Sequence, residues 1–266
     1  MQPSSSVTDQ LKPGVSLADA IRLMSSHYGP FSEEPRLDPA HELVFTILSQ
    51  HTSDTNSARA FRRLMDRFGT LEAVAQGSVQ EIEEAISSGG LARIKAPRIK
   101  DVLNRVLALN GSLDLSFLQE MPLDEAKAWL RQLPGIGPKS AGIILSFALG
   151  RPAMAIDTHI YRVCKRLGVI GPKVTVEKAH ELLEAMVAPA LVFQFHLSFI
   201  NHGRRVCKAR RPRCAECVVA WGCPSRSYFM DENSPRLVGA VTLSSDGHNP
   251  TPAQIPHSLP AEDNQA

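Results

Sequence analysis

Residues 130–157 read Leu-Arg-Gln-Leu-Pro-Gly-Ile-Gly-Pro-Lys-Ser-Ala-Gly-Ile-Ile-Leu-Ser-Phe-Ala-Leu-Gly-Arg-Pro-Ala-Met-Ala-Ile-Asp. Just ahead of and into this stretch, Ala126, Trp129, Leu130 and Leu133 fall at i, i+3, i+4 and i+7. That spacing predicts a helix with one buried face, stopped by Pro134 and Gly135. Gly135 and Gly137 are expected to let the backbone turn where a Cβ would clash, and Pro138 suits the first position of a second helix. No charge occurs from Ser140 to Gly150, so that helix is expected to be buried on most sides, with Lys139 the one charged side chain at its dry start. A helix, turn and helix of this form offers free amides beside residues without side chains, which suits a phosphate oxygen. A corner that uses its glycines only for packing has the same pattern, so the stretch alone leaves both readings open.

Outward from the hairpin, helical periodicity continues in both directions. Ser16 and Asp19 have the spacing of a helix start, followed by a face of Leu17, Ile21, Met24 and Tyr28. The apolar run Leu43 to Leu48 predicts a buried helix that opens into a polar loop, with Asp54 or Thr55 capping the next helix. Thr70 opens a short helix, and Ser78 with Glu81 forms a capping box for another. After Gly89-Gly90, Ile99, Val102, Leu103 and Val106 mark a further helix that Asn110-Gly111 ends. Asp157 is a plausible N-cap for a stripe of Ile160, Val163, Cys164 and Leu167. No alternating stretch is present, and the expected fold class is all-α.

Of the chain's 266 residues 43% are hydrophobic, an ordinary soluble composition, and no apolar run approaches the roughly 18 to 20 residues of a membrane span. The N-terminus lacks a basic start and an apolar middle, so the expected location is the cytoplasm, at the nucleoid when DNA is bound. The net charge of +2 is unevenly spread. Residues 228–266 hold five acids against Arg236 alone, which leaves about +6 for the remainder. Lys208, Arg210, Arg211 and Arg213 concentrate part of that charge in one segment able to meet phosphates.

The same segment lies among cysteines. Cys207, Cys214, Cys217 and Cys223 are spaced C-x6-C-x2-C-x5-C. Such clustering, without a secretory signal, argues for a four-thiolate metal site over disulfides. Spacing by itself permits tetrahedral zinc or an iron–sulfur cluster. The fifth cysteine, Cys164, sits on an apolar stripe and reads as a core residue.

The run Leu-Pro-Gly-Ile-Gly-Pro-Lys-Ser-Ala with the later Ile-Asp-Thr-His-Ile resembles the helix-hairpin-helix DNA glycosylase superfamily, and within it the endonuclease III family, from about Pro39 to Cys223. The resemblance implies that Lys139 and Asp157 are the catalytic pair, that Gly135 and Gly137 belong to a DNA-gripping hairpin, and that the four cysteines hold a 4Fe-4S cluster. It further implies a wedge at Leu91 and a gap-filling residue in the segment after Ser49. The family commonly has glutamine there, whereas this chain has His51 with Gln50 just before it. The implied partner is double-stranded DNA with damaged bases or abasic sites, bound by a monomer, with no membrane involved. The implied activity is a bifunctional glycosylase and lyase acting on oxidised pyrimidines. The alternatives are a mismatch-directed glycosylase with weak or no lyase step, and a non-catalytic DNA-binding protein.

The expected architecture is two helical lobes with a DNA cleft between them. Residues 39–150 would form the hairpin lobe, and 16–38 with 151–227 the cluster-bearing lobe. Residues 1–15 and 228–266 are expected to be loose tails.

Overall fold

A computed structural model describes residues 14–32 and 34–230, and among these the chain is helical, with no strand. The helices are α1 Leu17–Tyr28, α2 Pro39–Ser49, α3 Asp54–Phe68, α4 Leu71–Gln76, α5 Val79–Ala85 and α6 Ala92–Asn110. They continue as α7 Leu123–Arg131, α8 Pro138–Leu149, α9 Thr158–Arg166, α10 Val176–Met186, α11 Val192–Arg205 and α12 Arg226–Met230. The all-α expectation holds. Among the described residues no single helix is long and apolar enough to cross a membrane. Two compact units divide them, one of residues 32–155 and one of residues 14–31 with 156–230.

In the unit of residues 32–155, α2 is the axis. Leu43, Val44, Ile47 and Leu48 are fully buried, because α8, α3 and α6 all pack on this helix. Asp38 caps it, its carboxylate accepting the Ala40 and His41 amides, and Pro39 starts it. Ser53, not Asp54 or Thr55, caps α3: the Ser53 backbone is extended and its hydroxyl accepts from the Asn56 amide, while Asp54 is already in the first turn. The Ser78 and Glu81 capping box is formed as expected.

Glu42 is buried in this core, and its carboxylate accepts from Nε and a terminal nitrogen of Arg36, whose guanidinium also lies 4.4 Å from the centre of the Phe45 ring. Burial raises the Glu42 pKa, and the Arg36 charge opposes that rise. Arg36→Met would strand the carboxylate and is expected to cost about 3 kcal/mol at neutral pH. A carboxyl whose folded pKa is raised is tolerated in its neutral form. The deficit should therefore be smallest below the unfolded value of about 4.3 and grow as pH rises through the folded value. Urea unfolding of both proteins across pH checks this.

In the other unit, α1 packs on α11 and α11 on α9. Phe195 and Phe199 meet at 4.4 Å between ring centres, and Cys164 is fully buried. Both tail boundaries need correction. Val15 is 5% exposed and its amide donates to the Gly222 carbonyl at 3.2 Å, so Gly14 and Val15 belong to the folded unit. Tyr228, Phe229 and Met230 lie in α12, where the Arg166 guanidinium sits 4.4 Å from the centre of the Phe229 ring. An aromatic anchor orders a segment too short to show periodicity. The remaining tail assignments, 1–13 and 231–266, fall outside the described residues.

Candidate nucleic-acid interface and reactive residues

The hairpin is built as its punctuation demands. After α7, the amides of Gln132, Leu133 and Ile136 close tight turns on Trp129, Leu130 and Leu133. Gly135 has φ +76°, and a Cβ there would lie 2.8 Å from the Arg98 side chain. Gly137 differs from expectation: its φ of −95° is open to any residue, and an added Cβ would meet nothing of the protein. No side chain caps α8, so this bare position leaves a clear approach to the first free amides of a helix.

Lys139, in the first turn of α8, is exposed, not enclosed by an apolar wall. The burial expected from the charge-free run begins one residue later, at Ser140. Behind it α8 is packed so closely that a Cβ on Gly142 would overlap the Met154 carbonyl, which fixes the segment leading toward Asp157.

Two loops earlier in the chain each contain a bulky residue in the left-handed region. His51 has φ +54° and is exposed; Leu91, the residue before α6, has φ +53° and is 50% exposed. Gln50 is committed to the protein: its Oε1 accepts from Arg98 at 2.9 Å and its Nε2 donates to the Gly135 carbonyl at 3.2 Å. The structure therefore brings Gln50 and Gly135 together and leaves His51 free to point outward.

Asp157 belongs to the other unit, where it is 8% exposed and caps α9, Oδ1 accepting from the Ile160 amide at 2.7 Å. That bond engages one oxygen and leaves the other for further work. His180 steadies this segment, since its Nε2 accepts the Ile156 amide at 3.1 Å while Nδ1 faces the Val176 carbonyl at 2.9 Å.

Cys207, Cys214, Cys217 and Cys223 line one cavity of about 400 Å³, open mouth included, with Arg166, His202 and Phe229 in its wall. Among the described residues no three His, Cys, Asp or Glu side chains converge closely enough to chelate one metal ion. Burial, reinforced by repulsion from neighbouring thiols, pushes Cys214 and Cys223 up and Cys217 to about 11. Cys214, Cys217 and Cys223, whose ionisation is opposed by burial and by neighbouring thiols, contribute to a donor set that a cationic, thiophilic group would relieve. Arg166 donates to Cys207 Sγ at 3.3 Å and to the Lys208 and Ala209 carbonyls at 2.7 and 3.0 Å. The loop is thus shaped by protein hydrogen bonds as well as by its cysteines. Lys208, Arg210, Arg211 and Arg213 are all exposed on it, though Arg213 is paired with Glu216 at 2.7 Å.

Comparison with known proteins agrees with this geometry. The model of the HhH-GPD superfamily of base excision DNA repair proteins matches residues 44–189, which include the hairpin and Asp157. Endonuclease III of Thermotoga maritima is 32% identical over 70% of this chain and 83% of its own length. The chain belongs to the endonuclease III family of the HhH-GPD superfamily. Endonuclease III of Escherichia coli strain K12 is likewise 32% identical, over 74% of this chain and 89% of its own. Among solved structures, a trapped endonuclease III–DNA covalent intermediate superposes with a TM-score of 0.70 at 27% identity, covering 81% of this chain and 97% of that one. This member of the endonuclease III family is a DNA glycosylase of base excision repair. Sequence reading missed four residues that shape its candidate site, namely Lys95, Arg98, Arg166 and His180. None lies in a motif, and each acts through contacts made only on folding.

Proposed function

We propose that this protein is a bifunctional glycosylase and lyase that removes oxidised pyrimidines from duplex DNA and cuts the resulting abasic site. The observation that carries the reading is an exposed lysine in the first turn of α8, beside a glycine whose missing side chain leaves room for a phosphate. The Lys139 amine attacks the sugar C1′, the glycosidic bond breaks, and its electron pair leaves with the base, which takes up a proton. Asp157 offsets positive charge developing on the sugar. Ring opening gives an imine between C1′ and Nζ; loss of a 2′ proton then expels the 3′ phosphate, and water releases the lysine.

Before that chemistry the nucleotide must leave the stack, and His51 and Leu91 are assigned to the space it vacates. Gly135 and Gly137 with the first amides of α8, and Lys208, Arg210, Arg211 and Arg213, are assigned to the phosphates; Gln50 holds the His51 loop to the hairpin. Cys207, Cys214, Cys217 and Cys223 would hold a 4Fe-4S cluster, which when bound cross-links the basic loop and fixes its shape. The protein would act as a monomer at the bacterial nucleoid.

One preparation tests the reading. It should carry iron and sulfide with broad visible absorbance. It should release thymine glycol from duplex DNA in preference to mismatched thymine, and leave a covalent protein–DNA adduct when borohydride is present during turnover. Base release with no trapped adduct would reassign it to a glycosylase that uses water.

A further inference from the structure

The unit of residues 32–155 contains a buried cation that the chemistry above does not use. Lys95, in the first turn of α6, is 2% exposed, and its ammonium donates to the Leu48 carbonyl at 2.6 Å, Thr52 Oγ1 at 2.5 Å and the Gly89 carbonyl at 3.1 Å. Three donors meet three oxygens, all of them uncharged. An ammonium buried without an anion is costly, so its three uncharged oxygen acceptors are what make this burial possible. Burial alone pulls the Lys95 pKa down.

The positions of those oxygens say what the cation does. Leu48 and Thr52 bracket the turn that carries Gln50 and His51, and Gly89 lies two residues before Leu91. The Lys95 amide also donates to the Leu91 carbonyl at 2.9 Å, and Thr52 Oγ1 reaches the Gly89 carbonyl at 2.7 Å. One residue therefore binds both loops, each of which holds a non-glycine residue at positive φ. Such a conformation costs about 1–2 kcal/mol and persists only where its surroundings fix it.

We propose that Lys95 is a positioning residue that locks the His51 loop and the Leu91 loop into one rigid wedge, so that both side chains enter the duplex together when a nucleotide is everted. The proposal rests on the gap-filling assignment of His51 and Leu91 made above. It adds that the two side chains act as a unit and names the group that couples them.

The test compares cleavage of an abasic site in duplex DNA with cleavage of the same site in a single strand, where no gap opens and no wedge is required. Lys95→Met should slow the duplex reaction by roughly tenfold or more relative to the single-strand reaction, since small misplacements of positioning groups have effects of that size. A duplex with 2-aminopurine opposite a tetrahydrofuran abasic analogue gives a second readout. Its fluorescence should rise on binding the unaltered protein, and the rise should shrink in Lys95→Met.

Thr52→Val removes one ammonium acceptor with little change of volume and should shift both readouts in the same direction; it decides the matter if Lys95→Met does not fold. Equal losses on duplex and single strand would mean that Lys95 serves the fold alone, and the proposal would be wrong. An unchanged duplex-to-single-strand ratio in a His51→Ala, Leu91→Ala double variant would overturn the gap-filling assignment itself, a separate failure.

Discussion

Lys139→Gln is expected to abolish the borohydride-trapped adduct and to slow strand cutting at abasic sites by on the order of 10³-fold or more, because in the proposed mechanism it removes the atom that forms the covalent intermediate. Folding should be untouched, since Lys139 is exposed. The unfolding temperature of the variant should match that of the parent, and its affinity for duplex DNA should fall only by the share of one phosphate-facing charge, seen as a salt slope smaller by about 1. The contrast between a near-complete loss of chemistry and a small loss of binding is what identifies a nucleophile. A comparable loss of both would mean that Lys139 is a DNA contact and that some other group starts the reaction. In the free protein the amine is exposed; under the proposed mechanism its dehydration would come from the nucleotide that covers it.

That last point marks where the sequence misleads. A charge-free run from Ser140 to Gly150 describes the interior of α8 correctly, yet it says nothing of the turn before it, where three consecutive residues face solvent. Punctuation residues were readable because their effects are local. Pro138 starts a helix, Gly135 takes a positive φ, and the Ser78 and Glu81 box closes on itself, each without help from a distant partner. The cysteine spacing put four thiols on one short loop, and all four line one cavity, though among the described residues no three donors converge closely enough to chelate one ion.

Lys95 and Arg98 were not readable. Among the polar residues at the start of α6 they look like solvated charges, and only the meeting of α6 with the end of α2 turns one into a buried staple and the other into a support for Gln50. The same holds for Arg166, whose partners lie about forty residues further on. Of the two readings the sequence left open for Gly137, the clash-driven turn fails: an added Cβ would meet nothing of the protein.

The second large effect is expected at Asp157, where the observed helix cap and the proposed catalytic role share one side chain and can be separated by choice of replacement. Its Oδ1 holds the Ile160 amide at the start of α9, a bond an asparagine oxygen can keep. Asp157→Asn should therefore leave stability within about 0.5 kcal/mol of the parent, while base release falls by about 10² to 10³-fold if the proposed role holds, because the carboxylate charge is gone. Asp157→Ala loses both functions, and should show the same catalytic deficit with a further cost of about 1 kcal/mol in urea unfolding for the missing cap. The site is 8% exposed, so water cannot stand in for the lost carboxylate as it would on an open surface. Should the asparagine variant release base at the parental rate while the alanine variant is destabilised, Asp157 is a helix cap and nothing more. The positive charge on the sugar would then have to be met by another acid.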